Sequence, residues 1–94
     1  MINQIVCYYL PPTKERLEEF CLVLQKNIEN TFITKIHIFI EDILLAASNW
    51  PEAEQMRALW KNPKIILIHT NRRMTYQELI DYANQNISGM AMIS

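Results

Sequence analysis

Four short apolar runs alternate with three segments whose apolar residues recur at helical spacing, and this alternation constrains the 94-residue chain more than any other feature. The runs are Ile2 to Tyr9, Lys35 to Ile40, Lys64 to Ile68 and Met90 to Ile93. All four are short, and the first three are rich in β-branched or aromatic side chains, as buried strands are. Between the first two, Leu17, Phe20, Cys21, Leu24 and Ile28 fall at i, i+3, i+4, i+7 and i+11, which is one face of a helix. Tyr76, Leu79, Ile80, Ala83 and Ile87 repeat that spacing before the last run. In the middle, Pro51 suits a first helical position and opens a segment carrying Ala53, Met56, Leu59 and Trp60. The order β-α-β-α-β-α-β predicts an α/β fold: a three-layer, Rossmann-like parallel sheet of about four strands with right-handed crossovers. No repeat, low-complexity tract or linker interrupts it, so residues 1–94 read as a single domain.

Local signals agree with these boundaries. Pro11-Pro12 ends the first strand, and Thr13 is placed to cap the first helix, with Glu15 in its first turn to suit the dipole. That helix is expected to end near Asn30, and Asn62-Pro63 to stop the second. Ile43 to Ser48 is ambiguous in pattern, a single helical turn being one reading. Thr75 with Glu78 three residues on matches a capping box. The chain has 1 glycine, Gly89, where about 7% is typical. Phosphate-cradling Walker loops and the Gly-x-Gly-x-x-Gly dinucleotide fingerprint each need several, so both are excluded. Eight asparagines are expected to take some of the left-handed cap and turn positions that glycine otherwise holds.

The charge balance excludes further classes. Nine Lys and Arg against ten Asp and Glu leave a net charge of −1, which is not the signature of a nucleic-acid or anionic-membrane partner. No apolar run approaches the ~18 residues of a membrane span. The amino terminus lacks the basic region and small-residue cleavage site of a signal peptide. Cys7 and Cys21, each among apolar residues, read as two reduced core thiols. The expected compartment is the cytosol, where the glycosylation sequence Asn86-Ile87-Ser88 has no enzyme to meet.

Open α/β sheets place ligand chemistry just beyond the carboxyl ends of their strands, so residues at those tips are the candidates. Glu41 and Asp42 follow the second strand, where a carboxylate can bond a ribose or base or contribute to a metal site; a solvated strand end is the plainer alternative. Arg72-Arg73 precedes the capped helix, where helix N–H groups and bidentate guanidinium donors favour an anion such as a pyrophosphate. Two solvated loop arginines would look the same. Tyr8-Tyr9 could stack on a base or simply close the core with wet hydroxyls. His37 and His69 have no ligand-spaced partners, so they read as core or strand-end histidines rather than zinc ligands. Trp50 and Trp60 read as packing residues, with Trp50 also able to mark a partner surface. No nucleophile has a base at a telling spacing, and no catalytic residue is assigned.

Several of these stretches carry a family resemblance. The series Arg72-Arg73-Met74-Thr75-Tyr76-Gln77-Glu78-Leu79-Ile80-Asp81-Tyr82-Ala83-Asn84, followed by Gly89 and a strand closing in Ile93-Ser94, resembles the amino-terminal half of GT-A-fold glycosyltransferase-like proteins. There an Arg-x-Thr-Tyr helix precedes a strand that reads into an Asn-Ala-Asp-Ile motif. Tyr8-Tyr9, Leu24-Gln25-Lys26-Asn27 and the strand Lys35 to Phe39 are similar too, so nearly the whole chain is covered. The resemblance implies the nucleotide-sugar-binding half of the fold, with Tyr8 and Tyr9 lining the nucleotide pocket. Glu41 or Asp42 would meet the uracil or ribose, and Arg72 and Arg73 the diphosphate. The family's metal-holding Asp would fall immediately after Ser94, and the acceptor half and catalytic base lie further on. A divalent cation such as Mn or Mg is therefore expected only for a complete family member, and no cofactor within these residues.

Two readings follow. The first is a truncated glycosyltransferase-like module with a UDP-type nucleotide-sugar site, inactive alone and completed by another chain. The second is a small α/β interaction protein without a ligand, oligomerising through its sheet edges, because the final strand, Met90 to Ile93, is apolar and uncharged.

Overall fold

The computed structural model describes residues 2–8, 13–41 and 51–93. Its elements are β1 (Ile2–Tyr8), α1 (Lys14–Glu29), β2 (Ile33–Glu41), α2 (Pro51–Leu59), β3 (Ile65–Thr70), α3 (Tyr76–Asn86) and β4 (Met90–Ile93). The four strands form one sheet in the order β3-β2-β1-β4, and every pairing is parallel. The expected α/β class and Rossmann-like order are therefore present.

Register follows the pattern of apolar residues. Val6 lies opposite Ile38 and Tyr8 opposite Ile40, while Ile38 lies opposite Leu67 and Glu41 opposite Thr70. On the far side of β1, Ile2 pairs with Met90 and Ile5 with Ile93. Because successive strand residues point to opposite faces, β2 divides its side chains between two cores. Ile36, Ile38 and Ile40 face α1 and α2, packing with Leu17, Cys21, Leu24, Ala53, Met56 and Trp60. Phe39, with Ile5 and Leu79, forms the smaller core under α3, to which Tyr82, Ala83, Ile87 and Ile93 add partly buried surface. All five residues from Ile36 to Ile40 are buried, as a strand covered on both faces requires. The chain steps from β1 to β2 to β3 with helices on one face, then returns to β4 with α3 on the other, which is what right-handed crossovers give.

The helix termini are built as their sequences indicate. Thr13 is extended and its hydroxyl accepts the Arg16 N–H at 3.2 Å, and α1 ends at Glu29 with Asn30 as its cap. Lys64 reaches across from the start of β3, its ammonium donating to the carbonyls of Ile28 at 2.8 Å and Asn30 at 2.9 Å. Those carbonyls at the end of α1 have no partner further along the helix, so a cation there satisfies both hydrogen bonding and the dipole.

Three expectations need correction. β2 begins at Ile33 rather than Lys35, and β3 runs to Thr70 rather than Ile68, so His69 lies inside the strand. In both cases the parallel ladder continues past the apolar run, because backbone pairing does not require an apolar side chain. The described asparagines do not take left-handed positions: among the described residues Gly89 alone has a positive φ. Asn30 and Asn62 shape their turns through side chains instead, accepting the N–H of Phe32 and of Lys64, each at 2.9 Å. Tyr76 is 67% exposed rather than part of the packing face of α3. It is the first residue of that helix, and Tyr82, six residues further on, packs into the core instead. The expected turn at 43–48, and Trp50, lie outside the described residues.

Two substitutions test this description. Gly89 has φ +119°, a conformation an L side chain adopts only with strain although the space around it is open. Gly89→Ala is expected to destabilise the fold by about 1–3 kcal/mol, measured by urea unfolding. Lys64→Met, which keeps the aliphatic stem and removes the ammonium from α1, is expected to cost about 1 kcal/mol.

Candidate functional site

Parallel strands bring four carboxyl ends to one edge of the sheet. Tyr8 ends β1, Glu41 ends β2 and Thr70 ends β3, with Glu41 and Thr70 directly paired. Strands lie about 4.8 Å apart, so the backbones of Tyr8, Glu41 and Thr70 sit side by side across about 10 Å of this edge. The strand order reverses direction at β1, whose neighbours are β2 on one side and β4 on the other. That is the switch point at which open α/β sheets leave a crevice for ligands. Tyr8 and Glu41 are placed here by their strands. Tyr9 and Asp42, the other two candidates at these tips, lie outside the described residues.

The loop after β3 is tied down at both ends. The Thr70 hydroxyl lies 2.8 Å from the Arg72 carbonyl and 3.3 Å from that of Ile40, so its one proton is shared between the loop and β2. Met74 packs into the core under α3. Arg72 and Arg73 are both exposed between these anchors.

At the start of α3 the expected capping box is complete. The Thr75 hydroxyl accepts the Glu78 N–H at 3.2 Å, and the Glu78 carboxylate accepts the Thr75 N–H at 3.0 Å. The same carboxylate also receives a two-pronged contact from Arg72. One guanidinium nitrogen donates to Oε1 at 2.7 Å and the other contacts Oε2. The fork–carboxylate geometry makes this stronger than a simple cap. Arg72 holds the Glu78 carboxyl well below the ordinary range, at about 2, with the Thr75 backbone N–H adding to the effect. The guanidinium in turn is raised by its bond and charge interaction with Glu78. Arg72 is thus occupied by an internal carboxylate at the position where a phosphate was expected.

Sequence reasoning named Glu78 as a cap but not as the partner of Arg72, six residues away, and did not single out Thr70. A Thr at a strand tip followed by Asn-Arg-Arg and a capping box contains both interactions. Only the conformation of the loop shows that Arg72 folds back onto the helix start.

Of the two histidines, His37 is 5% exposed on the α3 side of β2, and His69 is exposed. Among the described residues no group of three His, Cys, Asp or Glu side chains is placed to hold a metal ion. Cys7 and Cys21 are not joined in a disulfide; Cys21 lies in the α1 core and Cys7 packs against the other. Among the described residues no helix is long and apolar enough to cross a membrane. Comparison with protein-family profiles, curated proteins and solved structures finds no match to this chain.

The Arg72–Glu78 fork has a direct test. In a carboxyl titration followed by NMR, Glu78 is expected to protonate near pH 2, and Arg72→Ala to return it toward the ordinary value of 4.5. A carboxylate with a depressed folded value stabilises the fold above its unfolded pKa and loses that contribution as pH falls toward the folded value. The start of α3 is therefore expected to loosen between about pH 4.5 and 2 in the parent chain, and to show no such window in Glu78→Gln.

Proposed function

We propose that the carboxyl edge of the sheet is the nucleotide-binding part of a glycosyltransferase-like module and takes a UDP-type nucleotide sugar. The observation that carries this reading is the all-parallel order β3-β2-β1-β4, with its reversal beside β1. It is supported by the resemblance of the Arg72 to Asn84 segment and of the β1 and β2 sequences to GT-A-fold proteins. In this reading Tyr8 and Tyr9 flank the base, Glu41 or Asp42 bonds the uracil or ribose, and Arg73 meets the diphosphate. Arg72 joins it by exchanging Glu78 for phosphate oxygens, since both offer a fork-compatible anion. No transfer activity is assigned to these residues: the role is donor binding, with Mn or Mg belonging to a complete enzyme of this type.

The test is an amide NMR titration of the chain with UDP, then with UDP-glucose and Mn²⁺. Shifts clustered at the tips of β1 and β2 and in the loop before α3 are expected. Arg73→Ala is expected to weaken UDP binding about 10- to 100-fold, the worth of one charge-assisted bond to phosphate. A spectrum that ignores every nucleotide, or an affinity unchanged in Arg73→Ala, would overturn the reading.

A second reading, self-association through β4, is favoured by one observation. β4 is an edge strand without a charged residue, and Met90 and Met92 are 67% and 41% exposed. Two copies could pair their β4 edges without bringing like charges together, and neither copy has the edge Lys or Pro that blunts such pairing. Sedimentation at high concentration is expected to show a dimer that Met92→Lys dissociates. A chain that stays monomeric would exclude it.

A further inference from the structure

His37 is a buried ionisable side chain in the central strand that the nucleotide reading does not use. Both of its ring nitrogens are engaged. Nε2 lies 3.2 Å from the Asn3 amide oxygen of β1, and Nδ1 lies 2.7 Å from the Tyr82 hydroxyl of α3. The arrangement fixes the tautomer. An amide oxygen only accepts, so Nε2 carries the proton; Nδ1 of the neutral ring is then bare and accepts the Tyr82 O–H. The Tyr82 ring also meets His37 edge-on at 5.4 Å and Phe39 at 4.9 Å. One tyrosine thus joins α3 to the middle of the sheet by a hydrogen bond and two ring contacts.

This contact weighs heavily because α3 has little else. Leu79 is its one buried side chain, whereas α1 buries Leu17, Cys21 and Leu24. Among the described residues, the side chains facing His37 offer no counter-charge to an imidazolium. β2 contributes Lys35 on the same face and β1 contributes neutral Asn3 and, toward the far end, the Cys7 thiol. Ile66 and Ile68 of β3, and Ala91 and Ile93 of β4, occupy the same side and do not titrate. Of the α3 carboxylates, Glu78 is bound by Arg72, and Asp81 accepts the Gln77 side chain at 3.0 Å.

We infer that His37 and Tyr82 form a proton-controlled latch that holds α3 on the sheet while His37 is neutral and releases it on mild acidification. A proton on Nδ1 forces Tyr82 to accept where it now donates. The hydroxyl hydrogen then loses its acceptor, and a second positive charge appears beside Lys35 in a poorly hydrated place. Burial, and secondarily Lys35, lowers the His37 pKa below its ordinary 6.5, in the direction this requires. A neutral-favouring site binds fewer protons when docked than when released, so docking weakens as pH falls below about 6.5. Because α3 begins at the Arg72-Arg73 loop, release would also mobilise that loop. The latch itself stands without the nucleotide reading.

The test is amide hydrogen exchange on the whole chain at pH 7.5 and pH 5, expressed as protection relative to free peptide. Protection over residues 76–86 is expected to fall by up to about tenfold for each unit that the folded His37 value lies below 6.5, while residues 14–29 keep theirs. His37→Gln is expected to remove this pH dependence. Tyr82→Phe, which keeps the ring, is expected to reduce α3 protection already at pH 7.5, and it serves if the His37 variant does not fold. Equal loss over α1 and α3, unchanged α3 protection, or a parent-like pH response in His37→Gln would overturn the inference.

Discussion

Parallel pairing on both sides of β2 is the constraint from which the rest of the structure follows. A strand paired in parallel cannot be joined to its neighbour by a tight turn, so every connection must travel the length of the sheet and return. The helices are those returns. Once both faces of β2 are covered, its residues must be apolar on both faces. The run from Ile36 to Phe39 and Ile40 satisfies this with one polar exception, His37. The same topology sends all strand carboxyl ends to one edge and all amino ends to the other, so the two edges acquire different chemistry.

The amino edge is closed by lysines that act as long hydrogen-bonding struts. Lys64 donates into the end of α1, and the Lys35 ammonium donates to the Pro63 carbonyl at 3.0 Å. These contacts satisfy backbone groups that helix and strand termini leave open. The carboxyl edge is organised differently. Its fixed points are the shared Thr70 proton and the Arg72–Glu78 fork, both on loop residues that hold a helix start in place. A helix start already supplied with an internal carboxylate is stable without ligand.

The elements were legible from the sequence because each was signalled in more than one way. α1 had a periodic face, a Thr13 cap and an acidic first turn; α3 had a capping box that formed as expected. The two extended strand ends were not legible, because Thr34 and His69 interrupt the apolar run while the backbone ladder passes through them. Tyr76 misled for a related reason. It obeys helical periodicity, but periodicity does not say which turns of a helix are covered, and Tyr76 is in the first. The candidate site was legible only as a set of strand tips. Parallel order brought Tyr8, Glu41 and Thr70 to one edge, but the partner of Arg72 depended on a loop whose shape no local pattern encodes. Strand order, too, came from tertiary packing: alternation implied a parallel sheet without saying that β1 would lie between β2 and β4.

His37 shows how one polar residue can add information to a strand that is otherwise all hydrocarbon. An apolar residue at that position would leave α3 held by Leu79 and partly buried neighbours, contacts that tolerate sliding along the sheet. Two directional hydrogen bonds, to β1 and to α3, remove that freedom by tying Asn3, His37 and Tyr82 into one arrangement. Such a network rewards a single register and penalises its neighbours, because a displaced Tyr82 or Asn3 leaves a buried ring nitrogen unsatisfied. The cost is that the arrangement requires a neutral imidazole. Specific docking of α3 and its sensitivity to protons are therefore two consequences of placing a histidine, rather than another isoleucine, in the central strand.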